Sequence, residues 1–347
     1  MTPARYAPTS RTRARAARAG QTPAPEQIDQ TTWAVPMPID FPNGSVRYTL
    51  TYILEDADGG LHMIDPGADS DENEDRLVAF LHSLGRGISD VRTMTATHLH
   101  ADHLGVADRL RRHGVKLVMS EREADEFHLA LAFPADHTVA RWGVPLERRD
   151  ELRNTMSTRA PGVAGGTADH LVNEGDLLPI PGRRLKVLAT PGHTPGHMCL
   201  IEERTKLLFT GDHLLPIINP GIGGSVTRLG NPMKRYLASL AEVSKYDDFV
   251  ACPGHGYRYV GIAHRSKEIA AHHRRRTREV ADVVAAGPRL SVWETARFVT
   301  WTAGWESLSG PRLAAALAQT EMHIALVGES AKTGNRHEAA DAWEGPE

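Results

Sequence analysis

Short runs of alternating apolar and polar residues fill the chain from Trp33 to about Val260, and helical spacing replaces them afterwards. Thr32-Trp33-Ala34-Val35, Tyr48-Thr49-Leu50-Thr51-Tyr52-Ile53-Leu54 and Leu61-His62-Met63-Ile64-Asp65 read as strands, being rich in β-branched and aromatic residues and bounded by turn formers. Asp58-Gly59-Gly60 predicts a hairpin between the last two. Leu77, Phe80, Leu81 and Leu84 recur at helical spacing and predict a helix over 72–84. A strand at 92–96, a helix at 107–113 stopped by Gly114 and a strand at 116–119 follow, the order of a crossover unit with its site at the strand's carboxyl end. Further strands are predicted at 185–190, 198–201, 206–210 and 248–252, the middle pair as a hairpin. Between them, 121–133 and 146–158 read as helices joined by Pro134 and Gly143-Val144-Pro145, so 121–169 is expected to be an insertion that caps a substrate site.

Beyond Val260 the pattern predicts a long helix over 262–286, broken by Gly287-Pro288. Ser291 followed three residues later by Glu294 is a capping-box signal, and Leu313 to Val327 gives a third helix, stopped by Gly328. Residues 1–30 carry Arg5, Arg11, Arg13, Arg15 and Arg18 with no acid before Glu26, and are expected to be a disordered basic tail. The organisation expected is therefore a tail over 1–30, an α/β domain over 31–260 and a small helical domain over 261–347.

The chemistry concentrates in Thr97-His98-Leu99-His100-Ala101-Asp102-His103-Leu104-Gly105, where a predicted strand turns into a helix. A strand sends alternate side chains to one face, so His98 and His100 can point together, while Asp102 and His103 face a second point from the turn. Three imidazoles packed this closely would repel one another when protonated, which favours a cation among them. Nitrogen-rich ligation with carboxylate suits zinc first, with iron or manganese as alternatives.

These residues resemble the signature of the metallo-β-lactamase superfamily, and further parts of its pattern follow in order. They are Met63-Ile64-Asp65-Pro66-Gly67, Thr190-Pro191-Gly192-His193-Thr194-Pro195-Gly196-His197, Phe209-Thr210-Gly211-Asp212 and Cys252-Pro253-Gly254-His255-Gly256. The resemblance covers roughly 33–260 and implies a four-layer αββα sandwich. It also implies two divalent ions, one on His98, His100 and His193, the other on Asp102, His103 and His255, with Asp212 bridging. Asp65 would support the metal loop from behind. A hydroxide bridging the ions would be the nucleophile, with Asp102 orienting it and taking its proton. His197, His213 and Tyr257 lie beside ligands and are candidates for substrate contact or support. The aspartate bridge and the intact Asp102-His103 pair look like the glyoxalase II, lactonase and nuclease branches, and the three C-terminal helices like the winged-helix-like appendage of some such hydrolases.

The expected activity is hydrolysis of a small-molecule ester, thioester or lactone; the alternative is a phosphodiesterase or endoribonuclease of the same fold. A formal net charge of −3 gives no case for nucleic acid, and His272-His273-Arg274-Arg275-Arg276 reads as a solvated helix face rather than a phosphate contact. No stretch approaches the roughly 18 apolar residues of a membrane span. Cys199 and Cys252 are the two cysteines, too few for a disulfide framework; both are expected to be buried in strands, in a cytoplasmic protein. The expected partner is a small molecule, and a homo-oligomer is compatible with the sequence.

Overall fold

The computed structural model describes residues 6–40, 46–129, 135–157, 167–223, 230–287 and 289–332. In chain order the elements are β1 (Ala7–Pro8), α1 (Arg11–Arg18), β2 (Glu26–Asp29), β3 (Thr32–Pro38), β4 (Tyr48–Glu55), β5 (Leu61–Ile64), α2 (Asp71–Ser83), β6 (Val91–Thr95), α3 (Ala101–Leu104), α4 (Ala107–Arg111) and β7 (Lys116–Ser120). They continue with α5 (Glu121–Leu129), α6 (Ala135–Arg141), α7 (Leu146–Ser157), β8 (His170–Val172), β9 (Leu185–Ala189), β10 (Met198–Glu202), β11 (Leu207–Gly211), α8 (Pro232–Val243), β12 (Val250–Pro253), β13 (Tyr259–Val260), α9 (Ile262–Ala286), α10 (Val292–Ala296) and α11 (Gly310–Lys332). One sheet runs β2-β3-β4-β5-β6-β7-β8, the other β1-β13-β12-β11-β10-β9.

Period-two alternation decides how the sheets stack. In β4, Leu50, Tyr52 and Leu54 face the second sheet, where they meet Met198 and Leu200 of β10, Phe209 of β11 and Cys252 of β12. Ile53, from the opposite face of β4, packs with Leu77 and Leu81 of α2 and Leu110 of α4. Cys199, Ile201 and Leu208 on the outer face of the second sheet pack beneath Leu240 of α8 and Ile269 of α9. Helix, sheet, sheet, helix is the four-layer sandwich expected. Both cysteines are free and buried in strands, as expected.

The tail expected to be disordered is ordered from Tyr6 to Gln30 and packs on the sandwich. Ala7 and Pro8 pair with Val260 and Tyr259 of β13, Ser10 caps α1 by accepting from Arg13 N, and Ala14 is buried in the core. The arginines do not have to be buried for this. Arg13 pairs with Glu26 at 3.3 Å and donates to the carbonyls of Ala24 and Pro25, while Arg18 donates to the Tyr257 phenol at 2.8 Å. Charge composition concealed an alanine stripe and its serine cap. Residues 1–5 lie outside the described residues.

The C-terminal helices begin as expected, with α9 spanning the 25 residues anticipated and a capping box of Ser291 and Glu294 opening α10. They do not stand apart from the insertion. Val139, Trp142, Val144 and Leu152 join Ala296, Leu313 and Leu317 in one cluster. The Trp142 indole donates to Glu321 at 3.0 Å, and Trp142 O accepts from Trp293 N at 2.9 Å. No helix among the described residues is long and apolar enough to cross a membrane.

Candidate metal centre

Five loops deliver the site to one end of the sandwich: the turn after β5, the β6–α3 turn, the β9–β10 loop, and the ends of β11 and β12. The seven side chains proposed as ligands converge there. His98 Nε2, His100 Nδ1 and His193 Nε2 lie 3.0 to 3.3 Å from one another. Atoms bound tetrahedrally at about 2.0–2.1 Å stand about 3.3 Å apart, so this trio is spaced to hold one cation. Asp102, His103 and His255 form a second group, with His255 Nε2 3.2 Å from Asp102 Oδ2 and 3.3 Å from His103 Nε2.

Asp212 spans the two groups. Its Oδ1 is 3.4 Å from His103 Nε2 and 3.3 Å from His255 Nε2, while Oδ2 is 3.7 Å from His193 Nε2. Buried Asp212 Oδ1 has no hydrogen-bond partner, an orphan that a cation would satisfy. Gly254 leaves the room: a Cβ there would lie 2.6 Å from His103 Cε1 and 2.7 Å from Asp212 Oδ1. The residues present therefore fit bound metal.

The far nitrogen of four of the five imidazoles shows what fixes it. His193 Nδ1 meets Gly221 O at 2.6 Å, His255 Nδ1 meets Tyr48 O at 2.8 Å, and His98 Nδ1 meets Thr97 Oγ1 at 3.0 Å. His103 Nδ1 meets Asp65 Oδ2 at 2.9 Å, and Asp65 also accepts from Thr97 N and Thr97 Oγ1, each at 2.8 Å. Asp65 thus stands behind the loop that carries His98 to His103. Such partners select tautomer and ring angle.

Burial, reinforced by neighbouring imidazoles, pulls His98 well below the usual histidine range; burial chiefly pulls His193 down and His100 to about 3. Neutral nitrogens with free lone pairs are what a cation requires. Burial also works against protonation of His103 and His255, but the carboxylates of Asp212, Asp65 and Asp102 overcome it at His103, and those of Asp212 and Asp102 hold His255 up at about 10. Asp102 is lowered despite its burial by His103 and His255. The side chains of Asp102 and Asp212, at 14% and 11% exposed, are more open than His103 or His255, so the approach from solvent is on the aspartate side.

The other candidates fall behind the site. His197 is buried, with Nδ1 2.8 Å from Thr190 Oγ1, and His213 packs on the Tyr236 ring. The Tyr257 phenol is taken up by Arg18. The run expected to be a solvated helix face is only partly so. His273 and Arg276 turn inward, Arg276 lying 4.5 Å from the Trp301 ring centroid and donating to Gln319 at 2.8 Å.

Sequence reasoning missed the braces. Thr49 Oγ1 donates to Asp102 O, Thr51 Oγ1 to Asp65 O, and the Tyr48 and Tyr52 phenols to Gly256 O and Pro253 O, so β4 fixes three of the loops. Glu123 of α5 accepts from Leu99 N and Gly196 N. Their partners are main-chain groups far away in sequence, which leave no local pattern. The sole signals were the polar positions in β4 and a Ser-x-x-Glu at Ser120.

A sandwich of this kind with an aspartate shared between two imidazole groups defines a metal-dependent hydrolase class, and comparison agrees. The model of the metallo-beta-lactamase superfamily matches residues 44–255, and the chain belongs to that superfamily. It is 27% identical over 221 residues to hydroxyacylglutathione hydrolase GloC of Haemophilus influenzae, covering 62% of this chain and 89% of that one. A solved metallo-beta-lactamase family protein from Thermus thermophilus superposes with a TM-score of 0.71 at 26% identity, covering 88% of this chain and 95% of that one. A beta-lactamase domain protein from Burkholderia ambifaria gives a TM-score of 0.71 at 26% identity, over 90% and 89%. The chain is a hydrolase with histidine and aspartate groups able to bind metal.

Proposed function

We propose that the chain is a binuclear metallohydrolase acting on a small-molecule thioester, ester or lactone. The observation that carries this is the Asp212 carboxylate, one oxygen turned to each histidine group. His98, His100 and His193 would hold one divalent cation and Asp102, His103 and His255 the other, zinc being the first choice for these donors. Two such ions, when bound, supply Lewis acidity and make water nucleophilic at neutral pH.

The protein's own part is orientation and proton handling. Asp102, on the open side, directs the attacking water and accepts its proton. Asp65 holds His103 at a fixed angle, and the carbonyls of Gly221 and Tyr48 do the same for His193 and His255. The inserted helices are the proposed wall of the substrate cleft. The name of the Haemophilus relative supports a thioester within this class. Arg276 and His273 turn inward, so neither is presented to a phosphodiester substrate. In a panel of thioesters, lactones and a phosphodiester reporter, turnover of the first two that stops with chelator and returns with zinc is expected. Turnover confined to the phosphodiester, or untouched by chelation, would overturn the proposal.

A further inference from the structure

We propose that Glu123 is the positioning residue that sets the distance between the two loops of the three-histidine pocket. The inference rests on the reading that His98, His100 and His193 hold a cation. His98 and His100 come from the β6–α3 turn, His193 from the β9–β10 loop, and no covalent constraint ties one to the other. Glu123 is fully buried between them. Its Oε1 accepts from Leu99 N at 2.9 Å, between the first two histidines, and its Oε2 accepts from Gly196 N at 2.7 Å, three residues past the third. A single rigid carboxylate therefore holds the main chain of both loops.

The mounting is stiff on each side. Ser120 Oγ accepts from Glu123 N at 3.1 Å and fixes the first turn of α5. Gly196 rests directly on that turn: a Cβ there would lie 2.2 Å from Glu123 N and 2.7 Å from its Cα, against backbone that cannot yield. Both partners of the carboxylate are N–H donors, and a carboxylate accepts at both oxygens. Glutamine, of the same size, would turn an NH₂ against one of them. Since α5 opens the insertion, the anchoring of the cap and the width of the histidine pocket depend on one side chain.

The test uses the full chain stripped of metal. Zinc is titrated in against a chromophoric chelator, the absorption spectrum is recorded with cobalt, and the melting midpoint of the metal-free protein is measured. For Glu123→Gln we expect one of the two zinc affinities to fall about 10- to 100-fold, a changed cobalt spectrum, the other affinity held, and a loss in kcat larger than any change in KM. Glu123→Asp, too short to reach both loops, and Gly196→Ala, which displaces one loop but keeps the carboxylate, should lose affinity at the same position. Asp56→Asn, at the other end of β5, removes a buried carboxylate bound to His62 and Arg92, and should lower the midpoint without touching zinc affinity. If Glu123→Gln lowers only the midpoint, and keeps both affinities and the cobalt spectrum, Glu123 is structural and the inference fails alone. If the wild-type chain takes up no cation, the metallohydrolase reading falls and takes this inference with it.

Discussion

Asp65 has a φ of 52°, in the left-handed region that few residues other than glycine occupy, at a cost of about 1–3 kcal/mol. The strained turn aims one carboxylate at His103, Thr97 N and Thr97 Oγ1 together. Asp65→Asn keeps the size but loses the anion behind His103. Metal affinity at the Asp102–His103–His255 group should fall about 10- to 100-fold, read by chelator competition. Asp212→Ala should cost both metal content and turnover, since that side chain faces both groups; a variant still active and metal-loaded would refute its shared role. At this scale the clustering of the histidines and aspartates was legible, because closely spaced imidazoles are hard to explain without a cation. Glu123, Thr49 and Thr51 were not, because they act on backbone groups and such contacts follow from tertiary folding alone.

At the scale of elements, hydrophobic spacing placed most strands and the helices around 72–84 and 262–286 within a residue or two. Two helices escaped it, α8 even though Met233, Tyr236, Leu240 and Val243 are buried at helical spacing. The helix α6 went unpredicted, although Val139 within it is fully buried. So did α8, whose start is marked by Asn231 accepting from Met233 N and by Pro232 in the first turn. α11 continues through Gly328 to Lys332 rather than stopping there, a tolerance costing about 1 kcal/mol relative to alanine. The segment bearing α1 makes the sharpest test. Deleting residues 1–24 removes the pairing of β1 with β13, the buried Ala14 and the Arg18–Tyr257 contact. Calorimetry should show a melting midpoint several degrees lower; a disordered tail would leave it unchanged.

Across the whole molecule, the four layers and the position of the site were legible because strand–helix–strand order and the ligand-bearing loops confine the topology. The fusion of insertion and C-terminal helices was not, since the sequence places them more than a hundred residues apart. Within that helical body His323 is buried, its Nδ1 2.9 Å from Thr277 Oγ1, and its ring stacks on His273. Burial, with Arg276 and His272 adding to it, holds His323 down at about 3. Below its ordinary value of about 6.5 the unfolded chain takes a proton that the folded chain refuses. Stability is therefore complete above that pH and falls as the medium is acidified toward 3, by about 2 kcal/mol at pH 5. Denaturant titrations at pH 8 and pH 5 should show the difference, and His323→Leu should reduce it; His273, lowered in the same direction by burial, adds to the slope.

The shared apolar seam of Trp142, Leu152, Leu313 and Leu317 bears on how this chain can be dissected. A gene cut after codon 260 would look complete by its family signature, yet its product would carry α6 and α7 with Val139, Trp142 and Leu152 stripped of their counterpart. Such a fragment should emerge in inclusion bodies, and co-expressing the missing helices as a separate polypeptide should return it to solution.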